Sequence, residues 1–247
     1  MEIIKYVAVA IIMAIFGQVV KHLNKKMPPV VSEEITYKEF FKSLKSDFKI
    51  DIKYSLILIV LSCLTVYFKG INVSSCLYML AYPMLMIVFS IDYRFQLIPD
   101  EAHVWFGVLG LIQMLCDLSN WHTYLLGALI GGGIFLAIAG FAILVLRKEG
   151  MGFGDVKLMA SLGFLFGMKN ILAITLVSFF IGAIIGGALL ILKKKDGGGY
   201  IPFGPFIVIG AILLVFVGAD SIFDTYIALC LGLSNAFSDL VYKVSSK

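Results

Sequence analysis

Apolar runs recur along this chain at a length that a water-soluble core does not call for. They cover residues 3–20, 54–68, 73–91, 102–118, 123–146, 156–168, 171–192 and 205–219. A helix that crosses the hydrocarbon core of a bilayer needs about 20 mostly apolar residues. Hydrophobic residues fill 60% of the 247 positions and charged residues only 15%. Soluble domains average roughly 45–50% and about 25%. So few charges cannot cover that much apolar surface in water, and lipid must solvate much of it. The pattern predicts an all-α, polytopic transmembrane helix bundle of about eight spans. The short runs 54–68, 156–168 and 205–219 need neighbours, local thinning or protein-lined water. A last segment, 222–241, carries Asp224, Asn235 and Asp239 and reads as an interfacial or poorly spanning helix.

Lys and Arg near span ends set the orientation. The first run is longer than a signal-peptide core, and its positive charges follow it. It is read as a retained anchor with its N-terminus outside. Threading eight spans from there places Lys21, Lys25, Lys26, Lys38, Lys42, Lys45, Lys49 and Lys53 in the first inside loop. Arg94 falls in the second, Arg147, Lys148 and Lys157 in or beside the third, and Lys193, Lys194 and Lys195 in the fourth. The outside loops hold only Lys69 and Lys169. The expected location is the plasma membrane. On this threading Ser46 and Gly198 face the cytoplasm and Asn120 faces outside. The net charge of +4 then reports topology and contact with anionic lipid, and nucleic acid is no expected partner.

The cysteines, Cys63, Cys76, Cys116 and Cys230, sit in or beside apolar runs and form no CxxC pair. They read as small buried hydrophobes. His22, His103 and His122 lie far apart, whereas a metal site needs clustered ligands; no metal is expected. The run Gly127-Ala-Leu-Ile-Gly131-Gly132 echoes Gly182-Ala-Ile-Ile-Gly186-Gly187. Both are patterns of small residues that let helix backbones approach closely, and packing is the expected role.

Acidic groups at membrane depth are rare and usually functional. Asp92 closes the third run and Asp155 opens the sixth, both at the same boundary. Two carboxyl groups on different helices at one depth suit aspartic proteolysis. Neighbouring like charges cannot both ionise cheaply, so such a pair shares a proton. One member takes a proton from water, and the other supports the oxyanion and then the leaving amine. Gly152 and Gly154 let the backbone come close to a bound peptide. An extended substrate pairs with such exposed N–H and C=O groups as an added strand does. Gly152, Phe153 and Gly154 are therefore the candidate substrate-binding residues. The competing reading of Asp155 is a helix N-cap. Asp100, after Pro99 and before Glu101, is expected to be an N-cap.

Three segments carry a resemblance. GMGFGDVKLMASLGFLFG, residues 150–167, resembles the GxGD region of type IV prepilin peptidases. IDYRFQLIPD, 91–100, resembles the segment holding that family's first catalytic aspartate, and YIPFGPFIVIGA, 200–211, a third segment common in it. They occur in the family's order. The resemblance implies that Asp92 and Asp155 are the catalytic pair of an aspartic endopeptidase. Its substrates would be prepilins or pseudopilins, cut after a Gly between a short basic leader and a hydrophobic stretch at the cytoplasmic membrane face.

Longer members of that family carry two CxxC pairs in a cytoplasmic loop, taken to bind zinc, and many methylate the new N-terminus with S-adenosylmethionine. Loop 21–53 here has no Cys, and Lys53, Tyr54, Ser55 and Leu58 stand where the family often shows Arg, Tyr-Pro and Glu. The peptidase reaction needs no cofactor, zinc is not expected, and use of S-adenosylmethionine is in doubt. The reading divides the chain into an anchor and short basic loop (1–53), a peptidase membrane domain (54–221) and a C-terminal helix (222–247). The alternative is a proton-coupled membrane transporter using the same two aspartates.

Overall fold

The computed structural model describes residues 2–26, 52–146, 152–191 and 202–245. The basic loop carboxylates Glu33, Glu34, Asp47 and Asp51, and positions Ser46 and Gly198, lie outside the described residues. Among the described residues the chain is helical throughout, with no strand. The helices are α1 (Glu2–Lys26), α2 (Ile52–Lys69), α3 (Val73–Phe95), α4 (Asp100–Cys116), α5 (Trp121–Phe141), α6 (Phe153–Phe166), α7 (Met168–Ile191), α8 (Gly204–Val217) and α9 (Ala219–Ser245). Helix α5 runs on into a π-helical turn, Ala142–Leu146.

The all-α polytopic bundle is as expected, but by length the count of full spans is not eight. Five described helical stretches are long and apolar enough to cross a bilayer, or six if α8 and α9 are taken as one broken span. Helices α4, α6 and α8 have 17, 14 and 14 residues. Hydropathy counts apolar runs, whereas a span also needs length. Gly218, at φ 81°, ends α8, and the chain turns by 106° into α9. The first run is also longer than expected. Helix α1 carries Lys21 and His22 in helical conformation, and His22 is buried.

Helices α3, α4, α6 and α8 share a core in which Tyr82, Leu85, Ile91, Phe106, Leu158, Leu162 and Ile207 are almost fully buried. The outward faces are apolar as well. Leu115, Leu129 and Leu144 are 56%, 70% and 82% exposed, a surface that suits lipid rather than water. The chain is therefore a multi-pass membrane protein.

Helices α5 and α6 pack backbone to backbone. A Cβ at Gly127 would run into the Gly163 carbonyl oxygen, one at Gly163 into that of Gly127, and one at Gly131 into that of Met159. The glycine pattern of the fifth run is thus a packing seam, as expected. Its echo in α7 differs: Gly182 faces the rings of Phe203 and Phe206, and Gly187 faces open space. The cysteines need correction too. All are free, and Cys76, Cys116 and Cys230 are exposed on the outer faces rather than buried.

Candidate active site

Asp92 lies in the last turn of α3, where the helix stops at Gln96. That residue adopts the left-handed conformation, φ 57°, and its N–H returns to the Asp92 carbonyl at 2.9 Å. The chain then runs through Ile98 and Pro99 into α4. Asp155 lies in the first turn of α6, whose N-cap is Gly152. Gly154 comes against Ile98, where an added Cβ would sit 3.3 Å from the Ile98 Cβ. The segment after Asp92 and the one before Asp155 are thus laid against each other.

The two carboxyl groups end up within electrostatic reach of each other, and they are only 4% and 3% exposed. Each draws on a backbone N–H at a helix start. Gly204 donates to Asp92 Oδ2 at 2.9 Å, and Gly152 donates to the Asp155 carboxyl. The Gly152 bond is half of a capping box, in which an acid three residues into the helix reaches back to the cap N–H. The N-cap reading of Asp155 was therefore close in position, but Gly152 holds the cap itself. Asp155 Oδ1 is buried with no hydrogen-bond partner in the protein. A buried carboxyl oxygen without a hydrogen-bond partner in the protein is a place where a water or a ligand group completes the bonding.

Asp100 is not an N-cap. Pro99 holds that place without a side-chain bond, and Asp100 is the first helical residue. Its carboxylate instead accepts from Lys157 Nζ at 2.9 Å, joining α4 to α6 two residues past Asp155. The Lys157 hydrogen bond and charge hold the Asp100 carboxyl below its ordinary range. The Lys157 ammonium also lies 5.7 Å from the centre of the Phe153 ring. Phe153 is 63% exposed, so of the three candidate substrate-binding residues it is the one displayed at the surface. His103 sits in α4 and His122 in α5, away from His22 in α1. Among the described residues no group of three or more His, Cys, Asp or Glu could hold a metal ion.

Sequence reasoning missed Gly204. A Cβ there would lie 2.6 Å from Asp92 Oδ2 and 3.0 Å from its Cγ, so the N–H bond exists only because this residue has no side chain. The signal available was Pro202-Phe203-Gly204-Pro205, a turn-forming cluster at the head of an apolar run. Its second proline falls where helices begin.

A bundle of membrane helices with two buried carboxyl groups meeting at helix ends is the frame of an intramembrane carboxyl-pair site. Residues 79–187, which contain both aspartates, match the model of the type IV leader peptidase family. Through that segment the chain is similar to the type IV leader peptidase family. It is 36% identical over 150 residues to a prepilin leader peptidase/N-methyltransferase of Bacillus subtilis (strain 168), covering 60% of this chain and 58% of the relative. An enzyme of the same name from Xanthomonas campestris is 36% identical over 146 residues, 58% of this chain and 50% of that one. One from Legionella pneumophila is 34% identical over 172 residues, 68% and 58% respectively. The chain thus spans about half the length of the curated relatives it matches. No solved structure matches it significantly. None of these comparisons supports the transporter reading.

Proposed function

We propose that this protein is a membrane aspartic endopeptidase that removes the short basic leader of prepilins or pseudopilins at the cytoplasmic face, with Asp92 and Asp155 as its catalytic pair. The observation that carries the reading is the meeting of two buried carboxyl groups from α3 and α6 inside the segment that matches the leader peptidase family. The relatives' name supplies the substrate class.

The chemistry follows from the pair. In the proposed reaction the pair shares one proton, because neighbouring carboxylates resist ionising together. The ionised member takes a proton from a water. The resulting hydroxide oxygen bonds to the scissile carbonyl carbon, while the protonated member donates to the carbonyl oxygen. Collapse of the tetrahedral intermediate breaks the C–N bond, and a carboxyl proton passes to the departing amine. Gly152, Phe153 and Gly154 flank the peptide, with the glycines leaving room for its backbone. Hydrolysis of this kind consumes only water, so zinc and S-adenosylmethionine have no part in the proposed reaction.

The test is co-expression with candidate prepilins, followed by cleavage in liposomes with the purified chain. A shift to the mature size that depends on this chain is expected; no shift with any prepilin of the same genome overturns the reading. Mass spectrometry of the product checks methylation separately, since a chain-dependent gain of one methyl group contradicts that part. Orientation is tested in a background without native cysteines. Exposed Tyr93 and Asn120, each changed to Cys, should label from the cytoplasmic and the outer side respectively. Labelling of both from one side defeats the placement.

A further inference from the structure

Asp92 does not hold its place through α3 alone. The donor to its Oδ2, the Gly204 N–H, belongs to the head of α8, a separate element 112 residues further along the chain. What keeps that head in position is the preceding side chain. The Phe203 ring lies with its centre 5.7 Å from that of Phe135 on α5, 5.2 Å from Phe179 on α7 and 5.8 Å from Phe206 on α8. Phe135 is fully buried. Gly182 on α7 closes the box: a Cβ there would sit 3.1 Å from the Phe203 ring and 3.2 Å from that of Phe206. Aromatic rings at such separations attract one another beyond simple burial, and their tilted geometry fixes direction as well as distance.

We infer that Phe203 and Gly204 form a positioning device for the catalytic pair: three helices grip the Phe203 ring so that the adjoining Gly204 N–H orients the Asp92 carboxyl toward Asp155. This rests on the proposed peptidase reading. Neither residue reacts. Gly204 sets which Asp92 oxygen is tied and which is left for water, and Phe203 sets where Gly204 stands. Both halves depend on side-chain size. A methyl group at position 204 displaces the carboxyl it should hold, and loss of the ring at 203 frees the donor to drift. A misplacement of about 1 Å in such a pair costs on the order of 10²-fold in rate.

The experiment measures kcat and KM for leader cleavage by the full chain in liposomes, per correctly folded molecule, for Gly204→Ala, Phe203→Ala and Phe203→Tyr. Leu165→Ala serves as the structural control. Leu165 is fully buried in α6, ten residues and so about 15 Å along the helix from Asp155. Gly204→Ala should lower kcat about 100-fold and Phe203→Ala about 10-fold, both with KM within twofold of the parent. Phe203→Tyr, which keeps the ring, should return kcat to within threefold of the parent. Leu165→Ala should lower the melting temperature while leaving kcat of the folded fraction within twofold. If Gly204→Ala does not fold, the Phe203 pair decides alone. A kcat within twofold of the parent for Phe203→Ala overturns the inference, as does a loss that Phe203→Tyr does not reverse. Failure of the unmodified chain to cleave any leader overturns the peptidase reading itself, a different result from cleavage that ignores Phe203.

Discussion

Two ends of the same helices treat an aspartate in opposite ways. At the far end, Asp117 follows α4 and is half-buried. It accepts from Tyr124 Oη at 2.9 Å and from Asn120 Nδ2 at 3.0 Å, and Gln113 Nε2 ties Tyr124 to Ser74 on α3. At the near end, Asp92 and Asp155 are more deeply buried, and each relies on a backbone donor. Asp155 Oδ1 has no protein partner at all. A buried oxygen left open costs free energy, on the order of 1–3 kcal/mol for the missing bond. The far end uses its acid as a clasp between α3, α4 and α5. The far end leaves the amide oxygen of Gln113 open, whereas the near end leaves an oxygen of an aspartate itself open, which under the proposed reading is available for reaction.

The contrast breaks if the near-end aspartates prove to be clasps as well. Asp92→Asn and Asp155→Asn should each lower leader cleavage by about 10²–10⁴ at least, with the protein still inserted and folded. Near-normal turnover by either variant removes that residue from the catalytic pair. Between the two ends, Gly163→Ala tests whether they move independently. The added methyl group meets the Gly127 backbone and forces α5 and α6 apart, which should cost about 1–3 kcal/mol of stability. Cleavage per folded molecule should fall less than tenfold; a larger loss means that the seam sets the geometry of the pair. Tyr124→Phe removes the hydroxyl that Asp117 and Gln113 share. It should cost about 1 kcal/mol in thermal unfolding and leave kcat unchanged, whereas lost turnover would mean that the clasp communicates with the site.

The smallest effect belongs to Asp100. Its carboxyl is held below the ordinary 3.8 by Lys157, so its contribution is present above that value and is lost as pH falls through the depressed one. The bridge is exposed and hence weak. Asp100→Asn should melt slightly lower than the parent at neutral pH, and the two should converge in strong acid. A gap that persists unchanged in acid shows that the Lys157 bridge is not its source.

Much of this was legible in the residues. Asp92 and Asp155 stand out because a charge beside an apolar run has few reasons to be there, and the small-residue run in α5 predicts close packing by its spacing alone. Other features left no such mark. The Asp100 carboxylate looked like a cap because caps are local, but its partner Lys157 is 57 residues away. Gly204 acts through its backbone N–H, a group that every residue except proline owns, so its identity shows only what had to be absent. The echo of α5 in α7 reads the same in sequence, yet Gly182 meets aromatic rings where Gly127 meets a backbone. Apolar stretches marked every helix, but α4, α6 and α8 fall short of the length of a full span.

That shortness has a mechanical consequence. Helices α6 and α8 begin at the carboxyl pair and have 14 residues each. Each therefore rises about 21 Å, against a hydrocarbon layer of about 30 Å. The difference of about 9 Å must be absorbed as a dimple in the surrounding lipid or as a notch that admits solvent. Taken up at the carboxyl end, and under the proposed peptidase reading, that shortfall would let water reach below the surrounding headgroups to the bond it has to hydrolyse.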